Sequence, residues 1–412
     1  MVRKSTSSSI VADLFLRLLP LCILSSLSTT SPFHFPQKLF LRTMVKGRRS
    51  KRRRSPAASL TDDLVVEILC HLPARSVCRF KCVSTTWRDL ISAHNRKLPQ
   101  TLAGIFTMHD AENMMGSVPH FINVLGRDCP LVSPWFDFLP ANQIYLLDCC
   151  NGLVLCSYWP TIHDCHLFVC NPATKKWVEL PDSNLGNRPR GLCLGFNPTV
   201  SPHFYVFEFS HDYDDDFSLL GYGVQVYSSE TGQWVRKGDN GISFFAHYYS
   251  HVFLNNGCVH YLTNDPAIAV VDTQGKACWS IPVPDNREYG FIQQSQGRLY
   301  YANFEADDED QVVRFVVYVL EDYDNQRWTL KHTAEAFDVL GQESHNLARD
   351  FEWVAIHPDC NMIFYTVGWD KTLMSYDMDR RQVHVICTLG QDTREVYLPY
   401  VPLFSELQAL HM

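Results

Sequence analysis

The 412-residue sequence lacks the short motifs that mark several common enzyme classes. It contains no G-x-S-x-G turn of a serine hydrolase, no phosphate-binding P-loop and no glycine fingerprint of a dinucleotide-binding fold. Glu67 and His71 are four residues apart on a predicted helix, but the metalloprotease motif needs a second histidine that is missing. We therefore assign no catalytic residue and expect a protein that is not an enzyme.

The sequence also lacks an excess of positive charge and a long apolar run. Its net charge is −8 and its pI is about 6.1, whereas general nucleic-acid binding depends on neutralising phosphates. The most apolar N-terminal segment, residues 10–27, is interrupted by Asp13 and Arg17, which leaves it too short to cross a bilayer. We therefore expect no nucleic acid and no membrane among the partners.

The fifteen cysteines lack the paired C-x-x-C spacing of structural zinc sites. The densest group combines five cysteines with two histidines: Cys149, Cys150, Cys156, Cys165, Cys170, His163 and His166. Because the spacing is irregular and several of these cysteines lie in apolar runs, free thiols buried in a reducing compartment are the favoured interpretation, with zinc as the alternative. We assign no metal ligand and no cofactor.

Two acidic stretches, residues 212–216 and 307–310, lack the pattern of a calcium loop. In the first, the sixth position of such a loop is Phe217 rather than glycine, and the twelfth is Gly223 rather than glutamate. Both stretches predict solvated loops that would attract a basic partner.

Residues 1–55 are interpreted as a leader with a basic patch. A cationic start followed by an apolar stretch imitates a secretory signal, but Met44 offers a second start, so residues 1–43 are expected to be an upstream extension or an unstructured leader, with a genuine signal as the alternative. The basic patch contains seven cations: Lys46, Arg48, Arg49, Lys51, Arg52, Arg53 and Arg54. It predicts either a nuclear-localisation signal or a solvated tail. The expected location is the nucleus and/or the cytoplasm.

The stretch at residues 60–91 predicts three short helices. Thr61 is suited to cap the first helix, two aspartates follow in its first turn, and Pro73 ends it. Val77 and Phe80 indicate a second helix, and Ser84 is placed to cap a third. Helices this few and this short cannot bury their own apolar faces, which predicts a covering partner.

In order and spacing this stretch resembles the F-box, the module that docks on the Skp-type adaptor of cullin-RING ubiquitin ligases. The resemblance is carried by Leu60, Leu64, Glu67, Ile68, Leu69, Leu72, Pro73, Arg79, Phe80, Lys81, Val83, Ser84, Trp87 and Leu90. Thr61 and Thr85 depart from the usual proline and lysine, which implies a weaker adaptor affinity at most. The resemblance implies that nine residues bind the adaptor: Leu60, Leu64, Ile68, Leu69, Leu72, Pro73, Val83, Trp87 and Leu90. A helical subdomain packed only on its own chain is the alternative.

From about residue 100 the sequence consists of short β-rich runs that repeat. Five repeats contain an apolar strand, a polar turn and a second strand that opens with tryptophan or, in the fifth, with Val383: residues 167–180, 224–237, 268–282, 316–331 and 373–386. A repeat of roughly 50 residues suits the four strands of a propeller blade. A sixth unit, completed from residues 101–148 and the tail around residues 397–407, would close the ring without an exposed edge.

Three short motifs extend the likeness: CNGLVLC at 150–156, NPATKKW at 171–177 and GFNP at 195–198. With the turn-tryptophan hairpins they resemble the F-box-associated, kelch-like domain of a large group of plant proteins. The expected fold is therefore α+β and multidomain. A small three-helix F-box at 56–100 precedes an all-β, kelch-like propeller-type repeat domain at 101–412. A β-sandwich is the structural alternative.

Together the two resemblances imply a non-catalytic substrate-recognition subunit of an SCF-type (Skp-cullin-F-box) E3 ubiquitin ligase complex. The F-box would dock the Skp-type adaptor, and through it the cullin-RING ligase, while the β-domain binds a target protein for ubiquitination. In the alternative, the propeller is a sugar- or small-molecule-binding or enzymatic domain independent of any ligase. A cluster of perturbed carboxylates in a deep axial pocket favours the alternative, whereas an aromatic-lined face favours the first hypothesis.

Overall fold

The computed structural model describes residues 61–410 with short gaps. The gaps are at 71, 73–75, 78–79, 82, 95–96, 99, 111–116, 125–131, 134, 142, 162–163, 184–190, 214–218, 238–250, 255, 264–265, 285–289, 307–311, 342–350 and 395, and the side chains of 210–213, 219–223, 237 and 277–278 are also outside the description. The chain divides into two compact units, residues 1–99 and residues 100–412. The predicted leader, its basic patch at 46–54 and both acidic stretches lie outside the described side chains.

In the first unit the helices described in full are α1 (Asp62–Cys70) and α2 (Thr85–Ala93), and the predicted second helix falls on a stretch that is described only in part, in which Val77 and Phe80 are helical. Two aspartates occupy the first turn of α1, where the positive end of the helix dipole favours carboxylates. Ser84 caps α2 as predicted, because its Oγ accepts a hydrogen bond from the Trp87 N–H at 3.2 Å. Five buried side chains form the small core of this unit: Val66, Leu69, Val77, Ile91 and Leu98.

The second unit is all-β in its described residues apart from one short helix, α3 (Ala336–Leu340). Its strands form six antiparallel sheets. The five four-stranded sheets are β3 (Tyr145–Cys150), β4 (Leu153–Tyr158), β5 (His166–Asn171) and β6 (Lys176–Glu179); β7 (Leu192–Phe196), β8 (Phe204–Tyr213), β9 (Leu219–Ser228) and β10 (Gln233–Lys237); β11 (His251–Phe253), β12 (Cys258–Leu262), β13 (Ala267–Asp272) and β14 (Ala277–Pro282); β15 (Phe291–Ser295), β16 (Arg298–Ala306), β17 (Val312–Asp322) and β18 (Arg327–Glu335); and β19 (Phe351–Ile356), β20 (Met362–Val367), β21 (Thr372–Asp377) and β22 (Gln382–Thr388).

The remaining sheet joins the two ends of this unit and is numbered blade 1, and the five four-stranded sheets are blades 2 to 6 in chain order. Blade 1 contains β1 (Gly104–Asp110), β2 (Ser117–Asn123) and β23 (Leu398–Tyr400), in the order β2-β1-β23. Strands β3, β7, β11, β15, β19 and β23 contact one another in sequence around a closed ring. The structure is a six-bladed propeller, which confirms the predicted fold class over the β-sandwich alternative.

Four of the five turns before the fourth strands share one geometry, and this geometry explains the repeat in the sequence. A side-chain oxygen at the end of the third strand caps the turn, as where Asn171 Oδ1 accepts the Ala173 N–H at 3.0 Å. Four residues after the capping position, the backbone adopts a positive φ at Lys175, Gly232, Gln326 and Arg381. The residues that the sequence repeats predicted to open an outer strand do lie on the fourth strands of the blades: Trp177 on β6, Trp234 on β10, Trp279 on β14, Trp328 on β18 and Val383 on β22.

Two of these tryptophans tie neighbouring blades together. The Trp234 indole N–H donates to the Pro181 carbonyl at 2.7 Å, and the Trp328 indole N–H donates to the Pro282 carbonyl at 3.0 Å. Both carbonyls lie at or just beyond the fourth strand of the preceding blade. Each indole is therefore half-buried at a blade edge while its one donor is satisfied by the neighbouring blade.

The short motifs of the second blade hold the C-terminal tail. Gly152 has φ +91°, and a Cβ at this position would stand 2.5 Å from Leu403 Cβ, so only glycine fits this hairpin beneath the tail. Asn171 Nδ2 donates to the Leu403 carbonyl at 2.9 Å. Two motifs that the sequence analysis treated as blade signatures thus also anchor the segment after β23.

A contact between the fourth and fifth blades sets up a pH dependence. His260 on β12 is fully buried, with Nε2 2.5 Å from Tyr323 Oη and Nδ1 3.2 Å from the Cys258 carbonyl oxygen. Burial lowers the pKa of His260 to about 4, against the partly offsetting hydrogen bond to that carbonyl. The imidazole is therefore neutral in the native protein at pH 7, with the tyrosine donating to Nε2.

We expect the free energy of unfolding to fall as the pH is lowered from 7 toward 4. The pKa of His260 in the native protein lies below its value of about 6.5 in the unfolded chain. Between these two pKa values the unfolded chain binds a proton that the native chain does not bind. The stability that is present above pH 6.5 is therefore lost as the pH falls toward 4. At pH 5 the lowered pKa of His260 reduces the free energy of unfolding by about 2 kcal/mol. Denaturant unfolding at pH 7 and pH 5 should show this loss in the wild type and much less of it in His260→Gln. The exposed His384→Gln is the control, and an undiminished loss in His260→Gln would contradict the assignment.

Candidate functional site

The structure separates the predicted adaptor-contacting residues by burial. Leu64 and Val83 are exposed to 52% and 41%, whereas Leu69 is exposed to only 1%. Four residues are half-buried: Ile68, Leu72, Trp87 and Leu90. Leu60 and Pro73 lie outside the described residues. Leu64 and Val83 are thus available to a partner, while Leu69 belongs to the interior.

The first unit is held together by few contacts. Phe80 and Trp87 pack with their ring centroids 5.2 Å apart at the edge of the core. The Cys70 thiol donates to the Lys97 carbonyl at 3.3 Å, which fastens the end of α1 to the end of the unit. The α1 residues predicted to bind the adaptor are Leu64, Ile68 and Leu69, whereas the deeply buried residues of α1 are Val66 and Leu69. The apolar surface that the core does not use is the docking candidate.

A second candidate site lies on the axis of the propeller. The first strands of the blades enclose a channel of about 180 Å³, lined by residues that include Asp148, His251, Gln293, Trp353 and Tyr397. Trp353 stacks on Phe291 with a centroid distance of 5.7 Å. Asp148 is the one carboxylate among the described residues that line the channel.

Asp148 is held as a carboxylate by its surroundings. Its Oδ2 accepts a hydrogen bond from the Leu194 N–H at 2.6 Å and lies 2.9 Å from His251 Nε2, and its Oδ1 accepts the Cys149 N–H at 2.7 Å. Burial alone would raise the pKa of Asp148, but the charge and hydrogen bond of His251 and the two backbone donors together lower it. The same pairing raises the pKa of His251 against the effect of its own burial.

No motif or spacing in the sequence indicates that these three residues meet. Asp148, Cys193 and His251 are far apart along the chain and meet only because β3, β7 and β11 are the first strands of successive blades. The predicted cysteine cluster is different: Cys156 and Cys170 are buried free thiols, and burial raises the pKa of Cys150 and of Cys165 to about 12. High pKa values fit the interpretation of that cluster as structural thiols.

The two ends of the propeller differ. Turns that join the second and third strands of a blade lie at the same end as the connections between blades, and we call this end the long-loop face. Trp369, in the β20–β21 turn, is 75% exposed, and Phe337, in α3 between two blades, is 59% exposed. The opposite end carries the tight capped turns. Exposed aromatic side chains on the long-loop face are candidates for partner contacts.

Two protein-family models match the chain, one in each of its two units. The F-box domain model matches residues 58–99, and the model described as F-box protein At3g26010-like, beta-propeller matches residues 129–398. The fold and these matches define a plant F-box protein with a C-terminal β-propeller. More narrowly, the chain belongs to the At3g26010-like β-propeller family of F-box proteins.

Curated relatives from Arabidopsis thaliana match the chain at low identity. The chain is 28% identical to the F-box protein At5g07610 over 71% of its own length and 77% of that protein, and 26% identical to the F-box protein At3g26010 over 60% of both chains. It is also 26% identical to the putative F-box/kelch-repeat protein At4g22430, over 60% of this chain and 64% of that one. Among the residues that the structure describes, no helix is long and apolar enough to span a membrane.

Proposed function

We propose that this chain is the substrate-recognition subunit of an SCF-type E3 ubiquitin ligase. The observation that carries the proposal is an F-box whose small core does not cover Leu64 and Val83. The other unit of the same chain is a closed propeller. The first unit supplies a docking surface for a Skp-type adaptor, and the second supplies a rigid surface for a target protein. The chain itself need not be catalytic, because holding a target lysine near the charged ubiquitin carrier raises its effective concentration.

The target-binding surface in this proposal is the long-loop face of the propeller. Exposed aromatic residues such as Trp369 and Phe337 are of the type that dominates binding energy at protein interfaces. The opposite face offers mostly tight polar turns. The proposal places the protein in the nucleus and/or the cytoplasm, on the basis of the seven cations at residues 46–54.

The axial channel gives less support to a sugar-cleaving enzyme. Such enzymes use two carboxyl groups on either side of the scissile bond. Among the described lining residues the channel supplies only Asp148, and His251 and two backbone N–H groups already neutralise and orient it. The receptor function is therefore the one that the geometry favours.

The test is reconstitution with purified components. The full chain should form a stoichiometric complex with a Skp-type adaptor and, through it, co-purify the cullin-RING ligase. Phe337→Ala/Trp369→Ala should retain the adaptor and lose ubiquitination of targets identified with the wild type. A folded wild-type chain that does not bind the adaptor would overturn the proposal, whereas unchanged target ubiquitination by the aromatic variant would overturn only the choice of face.

A further inference from the structure

Three metal-ligating side chains of different chemical types meet at the wall of the axial channel. Asp148 on β3, Cys193 on β7 and His251 on β11 each direct one ligand atom to a common point, and the three atoms lie within 4.8 Å of one another. Asp148 and Cys193 are buried, and His251 is half-buried. From this arrangement we propose that the propeller binds one zinc ion through Asp148 Oδ2, Cys193 Sγ and His251 Nε2.

The set of donors selects the metal. Thiolate, imidazole and carboxylate are all zinc ligands, whereas calcium and magnesium require oxygen alone. The charges also balance, because a thiolate and a carboxylate neutralise the two positive charges of the ion. A buried metal site is more stable when the net charge of the ion and its ligands is zero. Coordination replaces the protons on Cys193 Sγ and His251 Nε2 with the metal.

The distances require only small side-chain movements. A tetrahedral zinc with bonds of about 2.0–2.3 Å places its ligand atoms roughly 3.3–3.7 Å apart. The Asp148–His251 separation of 2.9 Å must therefore open slightly, and the longest separation, at most 4.8 Å, must close. The strands that carry the ligands are the first strands of three consecutive blades, so the backbone positions are fixed by the ring.

Backbone donors already orient the carboxylate for this task. The Leu194 and Cys149 N–H groups donate to Oδ2 and Oδ1 of Asp148, one to each oxygen. Such second interactions fix the direction of a metal-ligating carboxylate. Asp148 and His251 also line the channel, which provides an entry path for the ion and room for a water molecule as the fourth ligand.

A nucleophilic role for Cys193 fits the same geometry less well. Burial and then the Asp148 carboxylate raise the pKa of the Cys193 thiol well above its usual value, so the group is a protonated thiol in the absence of metal. A bound divalent cation reverses this situation because it deprotonates a coordinating thiol outright. Without a metal, the Asp148 carboxylate only lowers the reactivity of the neighbouring Cys193 thiol. A bound zinc ion gives a reason for placing the two groups together.

The experiment is a cobalt titration of the full, tag-free chain, followed by zinc competition. We expect one equivalent of Co²⁺ to bind with tetrahedral visible absorption and a sulfur-to-cobalt charge-transfer band, and zinc to abolish both. Cys193→Ser should lose the charge-transfer band, Asp148→Asn and His251→Gln should weaken binding at least about tenfold, and the buried Cys258→Ser should behave as wild type. Zinc should raise the unfolding temperature of the wild type and of Cys258→Ser only.

X-ray absorption of the zinc-loaded wild type keeps the test decisive if a variant fails to fold. One sulfur with three nitrogen or oxygen ligands supports the site. Two or more sulfurs would assign the metal to the cysteine cluster of the second blade and overturn the proposal. No charge-transfer band in a folded wild type, or a band that persists in Cys193→Ser, would also overturn it. None of these outcomes depends on adaptor binding, so the receptor function is judged separately.

Discussion

Replacing Leu64 and Val83 together with lysine should abolish binding of the Skp-type adaptor while both units stay folded. Both side chains are substantially exposed, so the exchange costs the isolated chain little. In a docked complex the same positions would lose apolar burial worth about 1.5–3 kcal/mol each and would place two charges in an apolar contact. A loss of about 3 kcal/mol already weakens binding by about 100-fold, so the expected effect is at least that large.

The measurement is a binding titration of purified adaptor against the wild type and the double variant. Circular dichroism and thermal unfolding report on folding in the same samples. Val385→Lys, which places a lysine at an exposed valine of the propeller, is the matched control and should bind the adaptor as the wild type does. A folded double variant with wild-type affinity would move the adaptor contact away from these residues. A double variant without a folded first unit would show that the two side chains belong to its core.

Local features of the propeller could be predicted from the sequence because the interactions that fix them are local. The capped turn that ends in Lys175 or Arg381 is closed by a hydrogen bond to a residue only a few positions earlier, and its outer strand follows at once. The turn-tryptophan pattern therefore gave the strands, their pairing and the repeat. Even the closure of the ring from both chain ends followed from the need to leave no sheet edge open.

The candidate sites were less predictable because they depend on contacts between distant segments. No characteristic sequence spacing links Asp148, Cys193 and His251, and only closure of the propeller ring brings their strands side by side. In the F-box, the sequence pattern grouped Leu69, which is interior, with Leu64, which is exposed, and it did not name the buried Val66. Leu64 and Leu69 are five residues apart and point in directions about 140° apart around the helix, so α1 carries apolar residues on more than one face, and the packing of the rest of the unit decides which face is buried.

Closure of the propeller depends on a three-residue strand, β23, and its last residue is its most deeply buried one. Tyr400 is fully buried, its ring centroid lies 5.1 Å from that of Phe106 and 6.3 Å from that of Phe121, and its carbonyl accepts the Ala103 N–H at 2.9 Å. Antiparallel pairing places it opposite Gly104 on β1. A ring closed by so short a strand depends on side-chain packing more than on its few ladder hydrogen bonds.

Tyr400→Ala should therefore lower the free energy of unfolding by about 3–5 kcal/mol, because a large buried ring is replaced by a cavity between the two chain ends. Tyr400→Phe keeps the aromatic contacts and should stay close to the wild type. Phe315→Ala creates a cavity of the same kind between the fifth and sixth blades, away from the closing sheet, and is the control for closure. Denaturant unfolding gives the free energies, and native-state hydrogen exchange should show faster exchange of the β1 and β23 amides in Tyr400→Ala but not in Phe315→Ala. Protection of these amides in a destabilised Tyr400→Ala would mean that the backbone pairing, rather than the tyrosine, closes the ring.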